Sequence, residues 1–303
     1  MLSTRVRRAV VLLLAGLMLS IISLAAQQTS APLFVVVKPV VNMYSGPSED
    51  SDVVSQAIYS TNVSVIGEQG DWLNIRTPDE YTGWIQRDTV KATNGTRYAS
   101  EGRVVRVAQM SANLYREPSV TKHAPVVTVP WETRLEVIEQ KVEEGERWMK
   151  VRLPDGREAY VQTGDVSFDF KPLSVDDTIA LAKKFIGVTY TWGGTSSWGY
   201  DCSGFMQMLI RQRGVLMPRD ADDQASWSGV APVERKDLQA GDLLYFGPRA
   251  DRITHTGMYI GNGEFIHDTT NTHPVVQISK LNDLPWTKLL VAARRLKQEA
   301  EKK

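Results

Sequence analysis

The sequence predicts two small all-β units followed by a domain that combines helices with a β-hairpin. Three observations carry that expectation. Four sequence markers recur in the same order upstream of the chain's one cysteine, Cys202. A helix opens at Cys202 behind a glycine-rich approach. Further on, Gly261-Asn262-Gly263 joins two apolar segments, a strong hairpin signal. At 303 residues the chain also exceeds what one compact core usually holds, roughly 250–300 residues.

The N-terminal segment comes first. Arg5, Arg7 and Arg8 precede the apolar run Ala9–Leu24, and Ser23-Leu24-Ala25 closes it with small residues. This is the pattern of an export signal over residues 1–26, cleaved near Ala25 or Ala26 rather than kept as an anchor. The run is shorter than the ~20 residues that span a bilayer comfortably. No cysteine follows it, which excludes a lipid-anchored lipoprotein. No second long apolar run occurs, so the cleaved chain is expected to be exported and free of the membrane, either in a periplasm or outside the cell.

The repeat defines the next two units. Asn42-Met43-Tyr44-Ser45-Gly46-Pro47-Ser48 returns as Asn113-Leu114-Tyr115-Arg116-Glu117-Pro118-Ser119. Trp72-Leu73-Asn74-Ile75-Arg76 returns as Trp148-Met149-Lys150-Val151-Arg152, and Pro78-Asp79 as Pro154-Asp155. Gly83-Trp84-Ile85-Gln86 returns as Ala159-Tyr160-Val161-Gln162. Each unit spans about 60 residues, above the 20–50 residue period of solenoids. The expectation is therefore two domains, 34–92 and 103–167, and not an array. Leu135-Glu136-Val137-Ile138 alternates apolar and polar residues as a half-buried strand does. Short strands broken by polar, Gly- or Pro-bearing turns suggest small barrels. Polar linkers at 93–102 and 168–173 flank the second one.

The third domain is expected over 174–296. Ser174 reads as a helix N-cap with Asp177 three residues on. Ile179, Ala182, Phe185 and Ile186 recur at helical spacing, and Gly187 can end the helix. Tyr190-Thr191-Trp192-Gly193-Gly194 then approaches a second helix, Asp201 to Ile210, which Gly214 terminates. The charged tail Leu296–Lys303 reads as a solvated end.

Composition excludes several functions. Hydrophobic residues make up 42% and charged residues 23%, which rules out a disordered chain. Lys plus Arg equals 35 and Asp plus Glu equals 35, so the basic excess of a nucleic-acid binder is missing. One cysteine permits neither an intramolecular disulfide nor a Cys-rich zinc site. The four histidines leave a His-based metal site open, although no HExxH spacing appears, and thiol chemistry at Cys202 would need no metal or organic cofactor.

An exported chain with one unpaired thiol draws attention to Cys202. At a helix start, unpaired N–H groups favour an anion, so the thiol is expected to ionise more easily and to serve as a nucleophile. A thiolate needs an imidazole to carry its proton to the leaving amine. His255 and His267 flank the hairpin turn, and the register decides whether they meet. A two-residue turn pairs Gly261 with Glu264 and sends the rings to opposite faces. A three-residue loop with Gly263 left-handed pairs Ile260 with Glu264, sets Gly257 opposite His267 and makes His255 its diagonal neighbour, ~7–8 Å away. The three-residue loop is the expectation, with His255 as base and His267 as its orienting partner. Taken singly, Cys202 reads equally as a buried inert thiol, and each histidine as a structural one. His123 and His273 read as surface residues.

Two resemblances sharpen this. The two β units resemble bacterial SH3-like domains through their Asn-x-Tyr entry, central Trp and closing Gly-Trp-Ile strand. Asp201-Cys202-Ser203-Gly204-Phe205, Gly241-Asp242-Leu243-Leu244-Tyr245-Phe246, His255-Thr256-Gly257-Met258-Tyr259-Ile260-Gly261 and Phe265-Ile266-His267 resemble the NlpC family of papain-like cell-wall cysteine peptidases. The resemblance implies an α+β papain-like catalytic domain, with the Cys helix packed on an antiparallel sheet bearing both histidines. It implies Cys202 as nucleophile, His255 as base, His267 as orienting residue, and Tyr190 beside the oxyanion with the Cys202 N–H. SH3-like units before such a domain resemble γ-D-glutamyl-L-diamino-acid endopeptidases, which act on peptides with a free N-terminal L-alanine. In that group an Arg-Asp-Ser-type segment binds the ammonium. Here Pro218-Arg219-Asp220-Ala221 stands there, giving Asp220 this role, with Asp201 and Ser203 lining the subsite and Ala221 departing from the pattern. Tyr81, from the first barrel, is the residue expected to narrow the cleft.

The reading is an exported cysteine peptidase that hydrolyses the γ-D-glutamyl–diamino-acid bond of peptidoglycan peptides in wall turnover or recycling. Its alternatives are a non-catalytic wall-binding scaffold and an acyltransferase on the same scaffold. Removing residues 34–167 is expected to change substrate choice as well as wall affinity.

Overall fold

The computed structural model describes residues 33–138 and 145–297; the export signal expected over 1–26 lies outside them. The first unit is a seven-stranded antiparallel sheet built from Leu33–Val36, Val40–Tyr44, Val53–Ile58, Asn62–Gln69, Trp72–Arg76, Thr82–Gln86 and Val90–Ala92. Alternation along Trp72–Arg76 buries Leu73 and Ile75, which join Val36, Met43, Val63 and Ile85 in one core. The second unit runs through the same order, with Trp148–Arg152 paired to Glu158–Gln162 as Trp72–Arg76 is paired to Thr82–Gln86. Both copies close on a short 3₁₀ turn, Arg87–Thr89 and Thr163–Asp165. Even the aromatic contact repeats. Tyr44 meets Trp72 edge-on at 5.6 Å, and Tyr115 meets Trp148 edge-on at 5.5 Å.

The third part is a six-stranded antiparallel sheet in the order Val230–Pro232, Leu290–Leu296, Leu243–Phe246, His255–Gly261, Glu264–Thr269, Val275–Lys280. Its alternating residues feed two cores. Leu243, Tyr245, Met258 and Ile266 pack against Phe185, Phe205, Met206 and Leu209 from the helices. Leu244, Phe246 and Phe265 pack against Trp286 on the other face. Each buried Leu, Met or Phe of this set contributes roughly 1.5–3 kcal/mol relative to exposure.

The expected helices form. Val175–Lys184 starts at Ser174, whose Oγ accepts the Asp177 N–H at 3.1 Å. Ile186 departs from expectation: it lies beyond the helix and is 50% exposed, because Phe185 already caps the last turn and Gly187 turns away at φ 92°. Cys202–Gln212 ends where Gly214 takes φ 79°. Among the described residues no helix is long and apolar enough to cross a membrane.

The β units are docked on the helical part and not strung out from it. Tyr59 of the first unit is buried in the core of the second. Trp131 of the second packs on Phe185, and Glu132 pairs with Arg211 of the Cys202 helix at 2.6 Å.

Candidate active site

The hairpin turn differs from expectation, yet the histidines meet. Gly261 pairs with Glu264 around a two-residue turn, with Asn262 at φ 54° and Gly263 at φ 76°. Ile260 is the extra residue of a bulge, so Tyr259 pairs with Phe265 and Met258 with Ile266. The additional residue sits in the strand instead of the loop, and the register beyond it is the one a three-residue loop would give. Gly257 then lies across from His267; a Cβ at 257 would come within 3.0 Å of the His267 Cβ.

Both rings project from the same face. His255 Nε2 lies 2.7 Å from His267 Nδ1, and His267 Nε2 lies 3.0 Å from Ser279 Oγ. The chain His255–His267–Ser279 spans three neighbouring strands. It leaves His255 Nδ1 as the ring nitrogen outside the chain. If His255 donates from Nε2 and His267 donates to Ser279, Nδ1 carries the free lone pair that a base requires. Trp286 packs against both imidazoles, at 5.2 and 4.8 Å between centroids, while Phe265 lies 4.4 Å from the His267 ring. These aromatic walls hold the rings and dry them. Burial pushes His255 down to about 3, partly opposed by the Asp201 charge, and takes His267 well below the usual histidine range.

Cys202 is the first residue of its helix and 8% exposed. Its sulfur receives the backbone N–H of Thr256, next to His255, and of Ser203. The expectation of an easily ionised thiol is corrected. Burial, with the Asp201 charge beside it, pushes Cys202 up to about 12, against the pull of those N–H groups and of Arg219. Burial therefore favours the uncharged forms of both the thiol and the imidazole. Desolvation of a whole charge outweighs the partial charge of one helix end. Tyr190 is half-buried beside Cys202, and burial together with the Cys202 and Asp201 charges keeps its phenol protonated and able to donate.

Asp201 caps the helix, its Oδ1 accepting the Gly204 N–H at 2.7 Å. The same carboxylate takes both Nη atoms of Arg219, at 3.0 and 2.6 Å. Arg219 also donates to Ser203 Oγ at 2.7 Å and to Ser55 Oγ of the first β unit at 3.2 Å. Asp201 and Ser203, expected to line a substrate subsite, are thus buried and committed to Arg219. Asp220 and Tyr81 do come together: the Tyr81 hydroxyl donates to Asp220 Oδ2 at 3.0 Å, across the junction between the first β unit and the helical part. Burial holds the Asp220 carboxyl above its ordinary range, moderated by the Tyr81 hydrogen bond and Arg219.

Sequence reasoning missed Ser279, Trp286, Arg219 and Gln224. Gln224 is fully buried and donates to the carbonyls of Ser203, Pro218 and Arg219, fixing the segment that carries Asp220. Ser279 was findable, since alternation along Val275–Lys280 puts it diagonal to His267, which pairs with Gln277. His123 and His273 are exposed, as expected. Among the described residues no cluster of His, Cys, Asp and Glu could hold a metal ion. A cavity of about 700 Å3 lies elsewhere, between the two β units and the Cys202 helix, and contains neither Cys202 nor either histidine.

Comparison with known proteins agrees with this geometry. The NlpC/P60 family model matches residues 187–295, and the bacterial SH3 domain model matches residues 39–91. A gamma-D-glutamyl-L-lysine dipeptidyl-peptidase of Bacillus cereus is 31% identical over 256 residues, covering 80% of this chain and 74% of the relative. The protein of the same description from Bacillus subtilis is 29% identical over 260 residues, 82% and 83% of the two chains. The crystal structure of an NlpC/P60 family protein from Bacillus cereus superposes with TM-score 0.74 at 25% identity, over 87% of this chain and 99% of that one.

Proposed function

The chain belongs to the NlpC/P60 family of cysteine peptidases, and from that premise we propose that it is an exported γ-D-glutamyl-diamino-acid peptidase acting on peptidoglycan peptides with a free N-terminal L-alanine. Residues 34–92 and 103–167 form its SH3-like part, and 174–296 its catalytic domain. Cys202 is the nucleophile, His255 the base and His267 the orienting residue. The thiol proton passes to His255 Nδ1 as the sulfur bonds to the γ-carbonyl carbon of D-glutamate. The oxyanion is met by the Cys202 N–H and the Tyr190 hydroxyl. Collapse breaks the C–N bond, and His255 returns the proton to the leaving amine of the diamino acid. Water, deprotonated by His255, then hydrolyses the thioester and frees the dipeptide L-Ala-D-Glu.

The observation that supports the substrate is the Tyr81–Asp220 hydrogen bond. It holds a carboxylate where two parts of the chain meet, a fit for one ammonium. An acylated amine would leave that half-buried carboxylate without a charged partner. Mass spectrometry of tripeptide digests, free and N-acetylated, tests the reading. Release of dipeptide from the free tripeptide only is expected, and equal release from both would overturn it. Asp220→Asn should lower kcat/KM for the free tripeptide about 100-fold and leave the acetylated one almost unchanged.

The histidine pair gives a second test. A methyl at position 257 would lie 2.9 Å from the Phe265 ring and 3.0 Å from the His267 Cβ. Gly257→Ala should therefore push the His267 ring off its partner and lower stability by about 1–3 kcal/mol. A tenfold or greater fall in kcat, with KM little changed, is the expected kinetic mark; an unaltered kcat would show that the pair tolerates displacement.

A further inference from the structure

One strand position beyond His267 stands a group the reaction above does not use. Asp268 is completely buried, its carboxyl has no side-chain partner, and the backbone N–H of Thr269 is the donor that reaches it. Its strand runs so that His267 faces Trp286 and Asp268 faces the Cys202 helix. Continuing the pairing of Met258 with Ile266 sets Asp268 across from Thr256, whose N–H reaches the Cys202 sulfur and whose own hydroxyl lacks a partner. Thr256 in turn pairs with Tyr245 on the next strand, whose hydroxyl is also unpartnered. Asp201 stands near enough that its charge opposes ionisation of Asp268. Tyr190 and Tyr200 both feel the Asp268 charge in turn. On the remaining side Asp268 pairs with Val276, which carries no charge. Arg219 is taken up by Asp201, Arg211 near Tyr200 by Glu132, and Arg294 near Tyr245 donates to the Ala225 carbonyl.

A buried carboxyl with no charged partner costs stability, and such groups concentrate at reacting centres. Two carboxyls in one dry site do not both ionise readily. We propose that Asp268, across from Thr256 on the face of the sheet toward the Cys202 helix, is a positioning residue for the nucleophile, leaving the sulfur and the oxyanion to develop negative charge beside one carboxylate instead of two. The inference rests on Cys202 being the nucleophile. Burial, with Asp201 beside it, pushes Asp268 up to about 8. Above that pH the second charge would oppose thiolate formation and the oxyanion at Tyr190.

Alkylation of Cys202 by iodoacetamide reads the thiolate without a substrate amine that titrates in the same range. In the native enzyme the rate should rise with pH and flatten between pH 7 and 9. In Asp268→Asn it should keep rising, and exceed the native rate by about tenfold above pH 9. Superimposable profiles would overturn the proposal.

Stability gives an independent sign. An unfolded aspartate loses its proton near 4, and this one in the fold at about 8. Between those values the folded state holds the extra proton, so stability falls as pH rises. Asp268→Asn should melt higher than the native protein at pH 8.5 and lose that advantage near pH 3.5. Carboxyl carbon NMR of the native protein covers the case in which the variant does not fold: Asp268 found ionised at pH 6 would equally overturn the proposal. Cys202→Ala separates the two readings. Cleavage that survives it refutes the nucleophile, whereas matching alkylation profiles refute only the role of Asp268.

Discussion

Replacing Cys202 by alanine is expected to lower kcat/KM for the free tripeptide by about four orders of magnitude or more, the loss seen when an enzyme of this logic loses its nucleophile. The effect should be nearly pure chemistry. The side chain removed is one sulfur atom at a helix start, and the cap that holds that helix is the neighbouring Asp201. Stability should change by less than about 1.5 kcal/mol. His255→Ala should reach a similar floor, and the double variant should lie no lower, because the two groups act as one unit. Dipeptide release timed by mass spectrometry, with melting curves alongside, measures both quantities. Residual activity within tenfold of native would remove Cys202 from the reaction. Because burial raises the thiol and lowers the imidazole, most of the loss is expected in proton transfer coupled to attack.

What the sequence disclosed and what it hid divide along one physical line. Local rules were legible. Ser174 with Asp177 gave a helix start, Gly214 a helix end, and Asn262-Gly263 a reversal of chain. The repeat was legible because each copy keeps its Trp and the segments around it in order. The histidine register came out right through a different device, a bulge at Ile260. An inserted residue shifts the register by the same step whether it stands in the loop or the strand. Contacts between distant segments were not legible. Trp286 and Gln224 each reach the site from another element, and nothing in their own neighbourhoods marks them, whereas Ser279 could be placed only once the pairing of its strand with that of His267 was known. The charge state of Cys202 was hidden for the same reason. A helix start can be read from sequence, but the depth of burial that outweighs it is set by the whole fold.

Arg219 is where the distant parts are tied together, and its loss should have the largest effect on stability. Its guanidinium is 2% exposed. It is paired with Asp201 at 2.6 Å and also bonded to Ser203 and to Ser55 of the first β unit. Burial works against its charge, and Asp201 more than restores it. Arg219→Met keeps much of the volume and removes the charge, leaving a buried Asp201 without its counter-ion. The expected loss is about 3–5 kcal/mol, read as a lower urea midpoint with unchanged slope. Arg219→Lys should recover only part of it, since one ammonium cannot bridge both carboxylate oxygens, Ser203 and Ser55 together. Adding Asp201→Asn to Arg219→Met should restore stability relative to the single variant, because the unpaired charge is then gone. It should not restore cleavage, since the N-cap, the Asp220 segment and the contact with Ser55 would still lack the guanidinium that joins them. If Arg219→Met lost less than about 1 kcal/mol, the range of exposed pairs, Asp201 would not be carrying a buried charge and the coupling between the β unit and the Cys202 helix would have to run through other contacts, among them the bond from Gln207 to Asp79 and those of Tyr81, Gln56 and Trp192.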